Sequence, residues 1–523
     1  MTPARPLLAA LLVLAFAACT TARSPERAAV ADEATVLHVL RRATYGPRPG
    51  DVARVQAMGL DAWLERQLDP AAIEDTAVER SLGTLPTLTM SIADLNRDYP
   101  RLNAQAQPAP EMGGPDRRPA RIVAELQAAR MLRAVASERQ LQEVMVDFWS
   151  NHFNVFAAKA EARWYVTAYE RDVLRPHALG RFPDLLRATA RHPAMLYYLD
   201  NWLSARPGYT VQAGPNRGRV GGLNENYARE LMELHTLGVD GGYTQRDVTE
   251  VARAFTGWTI ERLRGDTRFI FRPAMHDPGD KVVLGRPIRA GGERDGEEVL
   301  ELLARHPVTA RFIATKLTRR LVADDPSPAL VERVAAAYRD TGGDIRAMLR
   351  VIFAAPEFRE ARAAKVKKPS EFVASAARAV GATVEARGAL ALARAASEIG
   401  EGFYEAVPPT GHPDRAAAWV NPGGLLARLN FALSLAAGRL PGVRVNVDEL
   451  VGGADRGRPE AVLSGLLTTL LHGQAGEQTR TVLAAQLALP EITRRTADDR
   501  GPANTDVPTL TALVLGSPEF QRR

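Results

Sequence analysis

Apolar residues recur every three to four positions through most of this chain, and alternating runs are few and short. The pattern predicts a mainly α, multi-helix globular fold. Residues Glu33 to Leu68 read as two amphipathic helices around Gly46-Pro47, with a third short one ending before Asp69-Pro70. A long helix is expected from about Ala120 to Phe153, then helices from Glu161 to Leu174, stopped at Pro176, from Phe182 to Ala190 and from Pro193 to Leu203. Thr267 to Arg272 and Lys281 to Leu284 are extended runs, so a small β insertion is expected near residues 259–290. Helix resumes from Gly296. The stretch Pro100 to Pro119 carries no period and reads as an exposed loop.

Two helical stretches point polar groups inward. Rotating 100° per residue about Glu230 places Leu237, Leu234, Tyr227 and Leu231 in one apolar arc with Glu230 inside it and Asn226 and Glu233 beside it. A buried carboxylate without a partner costs several kcal/mol, so Glu230 should have a cation, a metal or a proton for company. After the Gly238, Gly241 and Gly242 break, Thr244 and Asp247 form a capping box, and Val248, Val251, Ala252 and Phe255 form the next buried stripe. In LQEVMVDFWSNHFNVF the same wheel buries Leu141, Val144, Met145, Phe148 and Val155, with Asn151 and His152 in the arc and Asp147 at its edge.

Composition narrows the setting. With 523 residues, 46% of them hydrophobic, the chain can bury a sizeable core. Its net charge of +6 is scattered along acid-rich helices and forms no stripe, so no nucleic-acid partner is expected. Lysine is scarce beside arginine. Arg5, the apolar run Leu7 to Ala18 and Cys19, the only cysteine, read as a signal peptide over 1–18. Phe16-Ala17-Ala18-Cys19 resembles a bacterial lipobox, departing from it at Phe16, and implies cleavage before Cys19 and lipidation there. Residues 19–31 then form a tether and 32–523 a single helical domain. The expected address is extracytoplasmic, on a membrane through the N-terminal lipid, or secreted if Cys19 carries no lipid.

From His38-Val39-Leu40-Arg41-Arg42-Ala43-Thr44-Tyr45-Gly46 to Ser517-Pro518-Glu519-Phe520 the chain resembles the bacterial family called domain of unknown function 1800. The strongest pieces are Phe148-Trp149-Ser150-Asn151-His152-Phe153, Arg175-Pro176-His177-Ala178-Leu179-Gly180, the Asn224 to Leu237 helix and Phe255-Thr256-Gly257-Trp258. Lys368-Pro369 and Leu425-Leu426-Ala427-Arg428-Leu429-Asn430 extend it. The resemblance implies no activity, substrate or cofactor.

No G-x-S-x-G, Walker loop or H-E-x-x-H is present, and the only cysteine is in the signal region, which removes cysteine catalysis and thiolate metal sites. A serine triad stays open. Glu230-x-x-Glu233 with His235 two residues on departs from the Glu-x-x-His of ferritin-like sites, so no di-iron centre is expected. Asp147, Asn151, His152, Asn226, Glu230 and Glu233 are the candidate catalytic residues, suited to acid–base work. His152, Glu230 and Glu233 are the candidate ligands of a divalent metal. The expectation is an envelope enzyme, a hydrolase; the alternative is a non-catalytic, lipid-anchored binding or assembly module whose polar network fixes helix register.

Overall fold

The alanine-rich helices Ala120–Ala136 and Ala386–Ile399 lie against each other along their lengths, with Ala128, Ala129, Ala389, Leu392 and Ala396 at most 1% exposed. Small side chains let the two backbones approach, which is where much of the alanine content goes. In this computed structural model, residues 31–101, 117–211, 217–263, 266–493 and 504–523 are described. The expected signal peptide, Cys19 and the tether through residue 30 lie outside them. The chain is mainly α-helical, 61% helix, with small β elements. Among the described residues no helix is long and apolar enough to cross a membrane.

The N-terminal helices fall at Glu33–Ala43, Asp51–Met58 and Leu60–Leu68, as the periodicity predicts. The β insertion is two antiparallel hairpins, Trp258–Leu263 with Asp266–Phe271 and Lys281–Val283 with Arg286–Ile288. Its first strand, beginning at Trp258, was not legible as an alternating run. A third pair joins Thr383–Val384 to Val443–Arg444.

Three expectations are corrected. The helix expected over Ala120 to Phe153 is two, Ala120–Ala136 and Gln140–His152. It breaks because buried Ser137 donates its hydroxyl to Asp75 at 2.6 Å while accepting from the Arg139 amide, an alternative to helical bonding. The helix from Pro193 ends at Tyr198, where Asp200 turns left-handed at φ 59° before a short 3₁₀ turn, Asn201–Leu203. Pro176 does not stop its helix. The preceding turn, Tyr169–Leu174, is a π-helix that runs on into Arg175–His177.

A second π-helix, Leu231–Thr236, follows Asn226–Glu230 and changes the reading of that whole stretch. Its bonds span five residues, as from the Leu237 amide to the Met232 carbonyl at 2.8 Å, so each residue advances less around the axis than the 100° assumed. Glu230 and Glu233 therefore come out partly exposed rather than core-facing. His235, which the wheel turned elsewhere, is 1% exposed. Beyond it the helix Gln245–Ala254 opens with the predicted Thr244/Asp247 capping box and buries Val248, Val251 and Ala252 completely.

Candidate functional site

Asp147, buried on the helix Gln140–His152, is held by three cations: Arg130 at 2.8 Å, Lys368 at 3.1 Å and Arg320 at 3.2 Å. Burial alone would raise its pKa; Lys368, Arg320 and Arg130 outweigh burial and hold the carboxyl well below the usual range. Each of those cations meets a second acid. Lys368 donates to Glu401 at 2.6 Å, Arg320 touches Glu371, and Arg130 lies 3.5 Å from Glu170. Arg175 joins Glu170 at 3.0 Å to Glu143 at 2.7 Å, and Arg523 reaches Glu371 at 3.0 Å. Five cations and five carboxylates thus form a lattice through the core, with a sixth cation, Arg133, at its edge 4.0 Å from Glu170. An ammonium or carboxylate taken from water costs several kcal/mol, so mutual compensation is the condition for burying any of them.

One wall of this lattice faces a cavity of about 260 Å³. Asp147, Asn151 and His152 line it together with Lys316, Arg320, Lys368, His412 and Asp414. Three of the six sequence-predicted residues therefore share one space. Asn151 fastens its rim: the side-chain amide donates to the His412 carbonyl at 2.8 Å and accepts from the His412 amide at 2.7 Å. The preceding Gly411 has φ +71°, and a Cβ there would stand 2.4 Å from Asn151 Oδ1, so only glycine fits the turn.

His152 is 2% exposed, within an aromatic shell of Phe148, Trp149, Phe153, Phe182 and Phe312. Its Nε2 lies 3.1 Å from the His235 carbonyl, an acceptor only, so the proton sits on Nε2 and Nδ1 keeps its lone pair. That Nδ1 is buried without a hydrogen-bond partner. Burial, with Lys316 second, holds the imidazole neutral, its pKa well below 6.5. Lys316, on the helix Pro307–Leu321, stands 5.6 Å over the Phe312 ring and has no ion pair or hydrogen bond among the described residues. Burial pulls its ammonium down to about 8, with Arg319 acting the same way against Asp414.

The other candidates stand elsewhere. Asn226 is exposed and donates to the Leu199 carbonyl at 3.2 Å. Glu230 has its pKa raised by partial burial and then by Glu233, and Glu233 lies 3.7 Å from Arg229. None of the three lines the cavity. The proposed metal set of His152, Glu230 and Glu233 is not gathered. Among the described residues, no group of three or more His, Cys, Asp and Glu is arranged to hold a metal ion.

Sequence reasoning missed Lys316, Arg320, His412 and Asp414, and took Lys368 as part of the Lys368-Pro369 piece of the family resemblance. A signal existed. The 523-residue chain has six lysines, at 159, 281, 316, 365, 367 and 368, and not one is exposed. In a chain that covers its surface with arginine, a retained lysine marks a place where a compact, titratable ammonium is wanted.

These features define a mainly helical protein with a charge-compensated core and a cation-lined cavity. A family model described as "Protein of unknown function (DUF1800)" matches residues 38–522, and the chain belongs to that family. No curated protein and no solved structure matches it.

Proposed function

We propose that this protein is an enzyme of the bacterial cell envelope, a hydrolase that draws an anionic group of its substrate into the cavity beside His152. The observation that carries the reading is the ammonium of Lys316, unpaired in a space it shares with an imidazole whose Nδ1 has no partner. The buried, partnerless Nδ1 of His152 is a cost to the fold that a ligand would recover, and the Lys316 ammonium, with no ion pair among the described residues, is free to meet the negative charge of that ligand. His152 is the general base: its Nε2–H is fixed on the His235 carbonyl, leaving Nδ1 to take a proton from water. Lys316 meets the substrate's negative charge, and Arg320 and Lys368, already neutralised by the lattice, set the potential around it.

A screen of phosphoesters, peptides and envelope polysaccharides against wild type, Lys316→Met and His152→Gln tests the reading. Hydrolysis of an anionic substrate that falls about 100-fold in both variants, with melting temperatures kept, is expected, the scale being that of losing one general base. Hydrolysis unchanged in both variants overturns it. A non-catalytic binding or assembly module is the second reading, favoured by one observation: Asp147 is fully engaged in ion pairs, as a register-fixing residue would be.

The envelope address rests on the apolar run before Cys19. Lipidated Cys19 would tether the domain to a membrane surface. Cys19→Ala should then release mature protein to the soluble fraction or block processing; a variant processed and membrane-bound as before sinks the assignment.

A further inference from the structure

Three lysines within four residues, 365, 367 and 368, are all buried, and they are served differently. Lys365 pairs with Asp324 at 2.6 Å and Asp414 at 3.2 Å, and Lys368 with Glu401 and Asp147. Lys367 has no carboxylate within 4.0 Å among the described residues. Its Nζ lies 2.7 Å from Ser375 Oγ and 3.7 Å from the centre of the Phe520 ring. Burial, with Arg41 next, drives its pKa well below the usual value, and Glu371 does not compensate. An amine left neutral has a lone pair, and the nearest proton is on the serine hydroxyl.

We infer that Ser375 and Lys367 form a serine–lysine nucleophilic pair, a second reaction centre separate from the His152 cavity, that accepts short acyl groups. Both side chains line a cavity of about 30 Å³, two to three times the roughly 10–15 Å³ that one water needs, together with Arg41, Arg48 and His472. Access to the hydroxyl depends on Gly46. At φ +104° it presents no side chain, and a Cβ there would stand 2.8 Å from Ser375 Oγ. The same helix-to-loop segment, Arg41 to Gly46, is one of the motifs that the His152 site leaves without a role.

In the step proposed, Ser375 Oγ attacks the carbonyl carbon and its proton passes to Lys367 Nζ. The bond to the leaving group breaks, and the protonated lysine returns that proton to the departing oxygen. Water then releases the acyl group by the same route. The small cavity limits the acyl group to an acetyl-sized fragment.

Methanesulfonyl fluoride is the probe, since its sulfonyl group is as small as acetyl and its adduct is stable. The S–O bond forms, fluoride leaves and the serine proton goes to Lys367. With the purified full chain, intact mass and peptide mapping should show one stoichiometric label on Ser375, at least 100-fold faster than on any other serine. Ser375→Ala and Lys367→Met should lose it while keeping the wild-type circular dichroism. Wild-type protein that stays unlabelled at Ser375, or Lys367→Met that is folded and labels as fast as wild type, overturns the proposal. Neither result touches the His152 reading, because phosphate titrated against Lys316→Met reports on that cavity alone.

Discussion

Replacing Glu371 by glutamine removes one charge from the core lattice and almost nothing else. Glu371 is 3% exposed, and its Oε1 lies close to Arg320 and 3.0 Å from Arg523, with neither guanidinium aligned as a hydrogen bond to that oxygen. The contact is therefore chiefly one of charge. Oε2 accepts from the Lys368 amide at 2.9 Å, which an amide oxygen can also do. Burial works against the carboxylate, but Arg320, Arg523 and Lys368 outweigh it and hold its pKa at about 2, against an ordinary 4.5. At roughly 1.4 kcal/mol per tenfold change in proton affinity, that amounts to about 3 kcal/mol of folding stability. Because the folded pKa is the lower one, this stability is fully present above about pH 4.5 and is lost as pH falls through 2. Glu371→Gln should thus be about 3 kcal/mol less stable than wild type at pH 7 and at pH 5, with the gap narrowing below 4.5. Urea unfolding of both proteins across that range measures it. A gap under 1 kcal/mol at pH 7, or one that does not narrow in acid, would refute the electrostatic account.

Other outcomes follow from single residues. His38, on the Phe358 carbonyl at 2.7 Å, is pulled by burial and then by Arg42 down to about 4. Stability should therefore fall between pH 6.5 and 4, and fall by about 3 kcal/mol less in His38→Gln on the same melting curves. Gly411→Ala should cost about 2 kcal/mol from its positive φ and push Asn151 off the His412 backbone, which chemical denaturation and the His412 proton resonances would report. Trp149 is 0% exposed with its indole N–H on the Ala178 carbonyl at 3.0 Å, so Trp149→Ala should cost about 3–5 kcal/mol in urea; a loss below 1 would show a loosely packed shell.

The helices were legible because their buried faces repeat at the helical period, and Asp147, Asn151 and His152 were legible because they interrupt one such face. The partners of those residues were not. Lys368 lies 221 positions from Asp147, and Arg320 173 positions, so nothing local to any of them announces the lattice. Lys316 sits on a helix where a charged residue reads as solvated surface. Glu230 was misplaced for a different reason: the hydrogen-bond register changes within Leu231–Thr236, and no periodicity that assumes one helix type can register that.

That change of register sets local order against chemistry at the cost of a single residue. Deleting one position within Leu231–Thr236 would let the segment close into ordinary α-helix, with its regular bonds restored. The flanking segments would keep nearly their present orientation, because the smaller turn per residue of the π segment already absorbs the extra position, but the His235 carbonyl would move off the line on which it accepts from His152. His152 would then lose the acceptor that fixes its proton on Nε2. If His152 is the base proposed above, a chain shortened in this way should gain helix and lose that base, so that selection for thermal resistance alone would drift toward an inert protein.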